Sequence, residues 1–192
     1  MNAYYEAKLN TAIAWFAKKH FERTGKYLTQ LGLFKYLALL EFRSVRERGV
    51  PVFGLKYVAM KWGPVPQELY QKFKKSSSLQ TELYQVKRIK EQNREVVLIL
   101  PSSKEADTNL FSPWELQVMK DLVEIYGDRW IDTKIFSEAS HQKIKAWQKA
   151  YQKKPNSVIK FEDEIEISDL PEEKKQIYLE RLATFEELTA SQ

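Results

Sequence analysis

Apolar residues recur along most of this chain at intervals of three and four, with charged residues at the positions between them. That periodicity is typical of helices with one buried face. Pro and Gly residues mark several of the boundaries. The pattern predicts helices at residues 3–23, 30–48, about 66–75, 113–126, 132 or 133–140, about 142–152, and from about 171 onward.

Two of these helices have specific signals at their ends. Thr29 is suited to cap the helix 30–48, which is apolar on nearly all sides from Leu31 to Leu40 and stops at Gly49. We expect such a helix to be central and buried. Ser112 precedes Pro113 and has Glu115 three positions later, which predicts a capping box at the start of the next helix.

Alternating or continuous apolar runs predict a smaller amount of strand. Residues 83–89 and 96–100 predict an antiparallel hairpin around Glu91-Gln92-Asn93-Arg94, and residues 55–60 predict a short strand. In residues 159–167, apolar residues occupy odd-numbered positions between acidic residues, which predicts a strand with one solvent-exposed face. The fold class is therefore mainly α (α+β), a helical domain with a small β-hairpin and a C-terminal strand–helix extension.

The segment Lys61-Trp62-Gly63-Pro64-Val65-Pro66 follows the first predicted strand. Its prolines fix φ twice, and glycine permits a sharp turn beneath the indole of Trp62. Pro66 suits the first turn of the helix that follows. The segment predicts a rigid elbow between a strand and a helix, a feature that shapes a surface.

Three stretches together resemble the Panacea domain, the family of SocA-like antitoxins. Residues 61–65 followed by Glu68-Leu69-Tyr70 are similar to its "G-P-V … e-L-Y" signature, and residues 28–37 to an early helix in which Lys35 takes the recurrent lysine. Lys145-Ala146-Trp147 is similar to its closing helix. The order and spacing agree over about residues 5–155. The sequence differs from the family pattern at two places. Phe34 stands where a polar residue is usual, and Ile144-Lys145 stands where a proline is usual.

The resemblance implies an antitoxin that neutralises a small cognate toxin by direct binding, without a cofactor. It also implies a cytoplasmic prokaryotic or phage protein, with delivery of the toxin to a Clp-type protease as an extension. Residues 1–155 would form the Panacea-like domain, and residues 156–192 an acidic extension packed on it. The residues expected to bind the partner are Trp62, Gly63, Pro64, Val65, Tyr70 and Trp147.

Charge is unevenly distributed along the chain. Residues 1–100 have 18 basic and 8 acidic side chains, whereas residues 155–192 have 4 and 10, and the whole chain carries +5. An acidic tail beside a basic body favours docking of the tail, with an acidic partner as the alternative. The absence of cysteine excludes disulfides and thiolate chemistry and fits a reducing compartment. We expect no secretory signal and no membrane span.

The residues that could support catalysis are few. His20 is expected to cap the end of its helix or to be half-buried there. His141 would need a nucleophile beside it to act as a general base. No glycine-rich phosphate loop occurs, and the acids at 162–166 are expected to be the wet side of a strand rather than a metal site. The sequence therefore predicts a protein that is not an enzyme.

A nucleic-acid-binding regulator is the alternative function. The basic N-terminal half could present one basic face, which would bind phosphates with steep salt dependence. Its candidate residues are Lys72, Lys74, Lys75, Lys87, Arg88 and Lys90. Exposed aromatic residues favour protein binding instead, because Trp and Tyr are preferred interface anchors. Of the tryptophans, Trp15, Trp114 and Trp130 are expected in the core.

Overall fold

The computed structural model describes residues 3–75, 78–91, 94–127 and 133–190. The turn residues Gln92 and Asn93, the predicted core residue Trp130 and the predicted helix start Asp132 lie outside them. The helices in this part of the chain are α1 (Ala3–Thr24), α2 (Gln30–Arg48), α3 (Gln67–Lys75), α4 (Pro113–Tyr126), α5 (Thr133–Lys143), α6 (Lys145–Lys153), α7 (Phe161–Glu166) and α8 (Glu172–Ala190). A 3-10 turn covers Thr108–Leu110. The strands are β1 (Leu28–Thr29), β2 (Tyr57–Met60), β3 (Gly63–Pro66), β4 (Ser78–Gln80), β5 (Tyr84–Glu91), β6 (Arg94–Pro101) and β7 (Val158–Ile159). The predicted class, mainly α with antiparallel β elements, is confirmed.

Helix α2 lies at the centre of the fold, as its nearly uniform apolar surface predicts. Thr29 caps it by accepting the N–H of Gly32, and Gly49 ends it in the left-handed conformation at φ 78°. Most of its residues from Gly32 to Val45 are buried, and it packs against α1, α4, α5 and α7. The capping box of α4 is also present, since the Ser112 and Glu115 side chains and backbones bond reciprocally.

Two antiparallel sheets flank this helical core. Strands β5 and β6 form the predicted hairpin, extended to the four-stranded order β1-β6-β5-β4. The second sheet has the order β3-β2-β7. The two-residue strand β1 and the three-residue strand β4 were not predicted, because such short pairings leave no periodicity in the sequence.

The predicted elbow is instead the second half of a tight β-hairpin. Gly63–Pro66 pairs with Tyr57–Met60, with Met60 opposite Gly63, so the chain reverses at Lys61 and Trp62 before α3 begins. Both prolines lie on β3, an outer strand of its sheet, where a missing N–H costs least. We call residues 61–63 the hairpin tip.

The strand predicted over residues 159–167 is wrong beyond Ile159. Phe161–Glu166 is the helix α7, in which Ile165 is buried against Val45 of α2 and Tyr178 of α8. The acidic residues are therefore not the wet side of a strand. Glu164 is fully buried, where its carboxylate pairs with Arg46 at 2.8 Å and accepts the Ala146 N–H at 2.9 Å. Burial raises the pKa of Glu164, while these two donors oppose that rise.

Helix α8 contacts the end of α2. The Tyr178 hydroxyl donates to the Glu47 carbonyl at 2.6 Å, and a Cβ on Gly49 would lie 2.8 Å from Tyr178 Cγ. The residues after 155 thus contact the central helix, while the division of the chain into two units at that point stays a prediction. No helix among the described residues has the length and apolarity needed to cross a bilayer.

Candidate partner-binding site

Lys35 connects the central helix to the hairpin tip. Its position on α2 directs the side chain into the protein, and only 1% of the residue is exposed. The ammonium donates to the Trp62 carbonyl and, at 3.0 Å, to the Ser140 hydroxyl, which itself donates to the Ser137 carbonyl at 2.8 Å. The tip is thus fixed from below by a buried cation.

Gly63 is the residue that permits this approach. It adopts φ +105°, which side-chain-bearing residues rarely tolerate. A Cβ at this position would overlap Lys35 Nζ and would lie 2.8 Å from Ser140 Oγ. Only glycine therefore fits both the backbone conformation and the space above the ammonium.

Trp147 fixes the other side of the same turn. Its indole Nε1–H donates to the Met60 carbonyl at 3.1 Å. The ring stacks between His141, with centroids 3.9 Å apart, and Tyr151, with centroids 5.0 Å apart. Trp147 is 7% exposed, so contacts within the protein cover most of its surface.

Of the residues predicted to bind the partner, Trp62 is the most exposed. Its residue surface is 53% accessible, and Lys61 Nζ lies 5.2 Å from the ring centroid. Gly63, Pro64 and Val65 are buried. Tyr70 is half-buried on α3, edge-on to Phe34 at 6.5 Å. The structure thus brings Trp62 to Val65 and Trp147 together around one turn, with Tyr70 in the helix that follows.

Lys35 is buried without a balancing acid among the residues that the structure describes. Among the described residues, no carboxylate lies within ion-pair distance of its ammonium. Burial lowers the pKa of Lys35 to about 7. Burial, and then the charge of Lys35, lower the pKa of His141 to about 4. Both groups therefore bind a proton less tightly than exposed Lys and His side chains do.

This arrangement is suited to holding a backbone and poorly suited to catalysis. Ser140 is fully buried, so its hydroxyl has no route to a substrate. No hydroxyl among the described residues hydrogen-bonds to His141 Nε2. His20, expected to be half-buried, is fully buried, with Nδ1 3.2 Å from the Tyr36 hydroxyl. No group of three His, Asp or Glu side chains converges as a metal site in the part of the chain that the structure describes.

The candidate basic residues lie on two neighbouring elements. Lys72, Lys74 and Lys75 are exposed on α3, and Lys87 and Lys90 are exposed on β5. Arg88 joins the elements by donating to the Phe73 carbonyl and pairing with Glu95. Because side chains alternate along a strand, Lys87 points to the opposite side of β5 from Arg88 and Lys90.

Sequence reasoning missed the structural roles of Ser140 and of two charged residues in the apolar helix. Besides Lys35, Glu41 is fully buried and accepts the N–H groups of Val52 at 2.6 Å and of Phe53 and Leu55 at 3.0 Å. Those bonds order the loop before β2. A charged residue inside an otherwise apolar helix was the signal available in the sequence, because such a group needs buried partners.

Comparison with known proteins agrees with the sequence motifs. A family model described as antitoxin SocA-like, Panacea domain, matches residues 33–148, more than half of the chain. The matched range contains Lys35, the hairpin tip and Trp147, which are the groups that meet at the turn. No curated protein and no solved structure matched the chain.

Proposed function

This chain belongs to the family of SocA-like antitoxins defined by the Panacea domain, and we propose that it neutralises a small cognate toxin by binding it. The mechanism is stoichiometric masking of the toxin in the cytoplasm, with no bond made or broken. Delivery of the bound toxin to a Clp-type protease is the extension that the family suggests. A stable complex of this kind buries on the order of 1,600 Å² in total.

The single structural observation that supports this proposal is the presentation of Trp62. An indole that is 53% exposed lies on a turn whose two flanking carbonyls, those of Met60 and Trp62, are held by Trp147 and Lys35. Large aromatic side chains are the most frequent hot spots of interfaces. A backbone already ordered in the free protein loses little entropy on binding, so more of the contact energy appears as affinity.

We propose Trp62 as the contact residue of the site. Gly63, Pro64, Val65 and Trp147 are assigned the role of holding the turn, and Tyr70 a place in the adjoining surface. Truncation of a hot-spot tryptophan typically costs about 2 kcal/mol or more, which is roughly 30-fold in affinity.

The experiment compares Trp62→Ala with Tyr4→Ala, a matched control because both residues are 53% exposed. Toxin binding and neutralisation are measured together with thermal stability. We expect Trp62→Ala to weaken binding about 30-fold with a Tm near that of the wild type, and Tyr4→Ala to bind normally. Equal binding by both variants would remove Trp62 from the interface. In the companion variant Pro64→Ala/Trp62→Ala, retained neutralisation with a lowered Tm would make the turn structural only.

Nucleic-acid binding is the second candidate, favoured by the neighbouring exposed lysines of α3 and β5. Lys74 and Lys75 end the helix that Arg88 joins to β5, the strand that carries Lys87 and Lys90. Several phosphate contacts would give binding that falls steeply with salt concentration. Changing Lys74, Lys75, Lys87 and Arg88 to Glu would then abolish binding to DNA or RNA. Absent or salt-insensitive binding by the wild type removes this candidate.

A further inference from the structure

A cleft lies at the end of the β2–β3 hairpin opposite to the tip. It has a volume of about 490 Å³, within the range of ligand-binding pockets. Phe53, Leu55 and Ile159 are buried at its floor, and the half-buried rings of Phe161 and Phe185 line it from α7 and α8. Gly54 is required for this shape, since it adopts φ +71° and its added Cβ would lie 2.8 Å from Phe185 Cε1.

Two glutamates line this cleft from two different helices. Glu162 lies on α7 and Glu186 on α8, and both line the cleft. Burial, and then the charge of Glu162, raise the pKa of Glu186, so the two carboxylates are close enough to repel. In the described parts of the chain, neither carboxylate has a Lys, Arg or His partner within ion-pair distance. A cation placed between them would relieve that repulsion.

The other charged residues of the lining come from three further places, and one of them, Lys160, is the residue that precedes α7. Lys56 precedes β2, Lys160 follows β7, and Glu68 begins α3. The lining as a whole carries three acids and two lysines, and two of the acids, Glu162 and Glu186, come from α7 and α8. The part of the cleft that α7 and α8 form is therefore aromatic and acidic.

We infer that this cleft binds a segment of the toxin in which an Arg or Lys is flanked by apolar side chains, an inference that rests on the proposed function. The cation lies between Glu162 and Glu186 and against the rings of Phe161 and Phe185, where aromatic faces add attraction for a cation. The flanking apolar side chains cover the floor. Carboxylates and rings on neighbouring helices suit a guanidinium or ammonium better than an anionic or wholly apolar segment.

The cleft extends beyond the part of the chain that the family model matches. The family match covers residues 33–148, so it includes Phe53 to Lys56 and Glu68 but neither α7 nor α8. The acidic side is thus supplied by residues outside the matched domain. The hairpin tip and the cleft are separated by the four residues of β2, a length of about 13 Å.

The test uses the full chain and a random dodecapeptide library displayed on phage. Selection on the wild type, with counter-selection on Glu162→Lys/Glu186→Lys, should enrich peptides with Lys or Arg next to aromatic or aliphatic residues. An enriched peptide, synthesised with a fluorescent label, should bind the charge-reversed variant at least about tenfold more weakly by anisotropy. Glu180→Lys, an exposed reversal on the same helix, is the control and should bind as the wild type does.

Two results would overturn the inference. One is enrichment of no basic peptide, and the other is equal loss of binding by Glu180→Lys and by the cleft variant. If the reversed variant does not fold, Glu162→Gln/Glu186→Gln replaces it with the same expected direction. Toxin neutralisation is scored separately. A cleft variant that neutralises normally while Trp62→Ala does not would refute the cleft alone, whereas a wild type that binds no toxin would refute the proposed function.

Discussion

Replacing Gly63 with alanine should destabilise this protein more than the same change at any open turn. The new Cβ would overlap Lys35 Nζ and lie 2.8 Å from Ser140 Oγ, and the backbone would have to keep φ +105°. Either the ammonium moves away from the Trp62 carbonyl or the hairpin tip moves away from α2. Both responses break the contact that fixes the turn.

The magnitude follows from two contributions. A non-glycine residue at positive φ costs about 1–2 kcal/mol. Loss of a buried hydrogen bond from a charged donor adds about 1.5–3 kcal/mol, giving a total of roughly 3–5 kcal/mol. Gly25→Ala isolates the first contribution, because Gly25 adopts φ +68° with no atom within 4 Å of its added Cβ. That control should cost only about 1–2 kcal/mol.

Urea unfolding followed by far-UV circular dichroism gives both free energies. Repeating Gly63→Ala in a Lys35→Met background completes a double-mutant cycle, in which the cost of the alanine should fall because the ammonium is gone. The reasoning would be refuted by equal losses for Gly63→Ala and Gly25→Ala. An unchanged cost in the Lys35→Met background would refute it as well.

Three further predictions concern the groups that hold the fold and the turn. Burial lowers the pKa of Lys35 from 10.5 to about 7. Between these two pH values the unfolded chain binds more protons than the folded protein, so the free energy of unfolding should rise with pH. This rise from pH 7 upward should be steeper in the wild type than in Lys35→Met. Parallel curves from urea titrations at pH 7 to 9.5 would contradict this. Trp147→Phe keeps an aromatic ring but loses the bond to the Met60 carbonyl, and should cost about 1–2 kcal/mol more than Trp15→Phe, whose residue is equally buried at 7% exposure. An equal decrease in Tm for Trp147→Phe and Trp15→Phe would contradict this prediction. Glu164→Gln removes the charge that pairs with Arg46 and should cost about 1–3 kcal/mol by urea unfolding, whereas Glu166→Gln on the exposed side of α7 should cost under about 0.5 kcal/mol. Equal losses of unfolding free energy in the two variants would contradict the buried ion pair between Glu164 and Arg46.

The parts of the fold that local chemistry determines were predictable from the sequence. Helices α2 and α4 begin and end at residues whose own side chains or backbone make the caps, at Thr29 and Gly49 and in the Ser112 and Glu115 box. The β5–β6 hairpin was predictable because its apolar runs are long and lie close together in sequence. These signals act over a few residues, so no tertiary information was needed.

The parts that distant contacts determine were not predictable. The sequence predicts a strand where helix α7 forms, because Phe161, Ile165 and Ile167 satisfy an alternating pattern as well as a helical one. Burial of Ile165 against α2 and α8, and of Glu164 against Arg46, selects the helix. The same is true of the candidate site. The hairpin tip was noticed in the sequence, but Lys35 and Ser140 are 105 residues apart, and nothing local indicates that they meet beneath Gly63.

The most direct test of the central claim is an affinity purification of the tagged chain from its native host at moderate salt, with the bound material identified by mass spectrometry. The account predicts one small protein at near-equal stoichiometry with the wild type and with Tyr4→Ala, and strongly reduced recovery with Trp62→Ala. Co-expression of the recovered protein should then be toxic in cells unless this chain is present. Recovery of nucleic acid or of no partner, or of a protein that Trp62→Ala retains fully, would contradict the account.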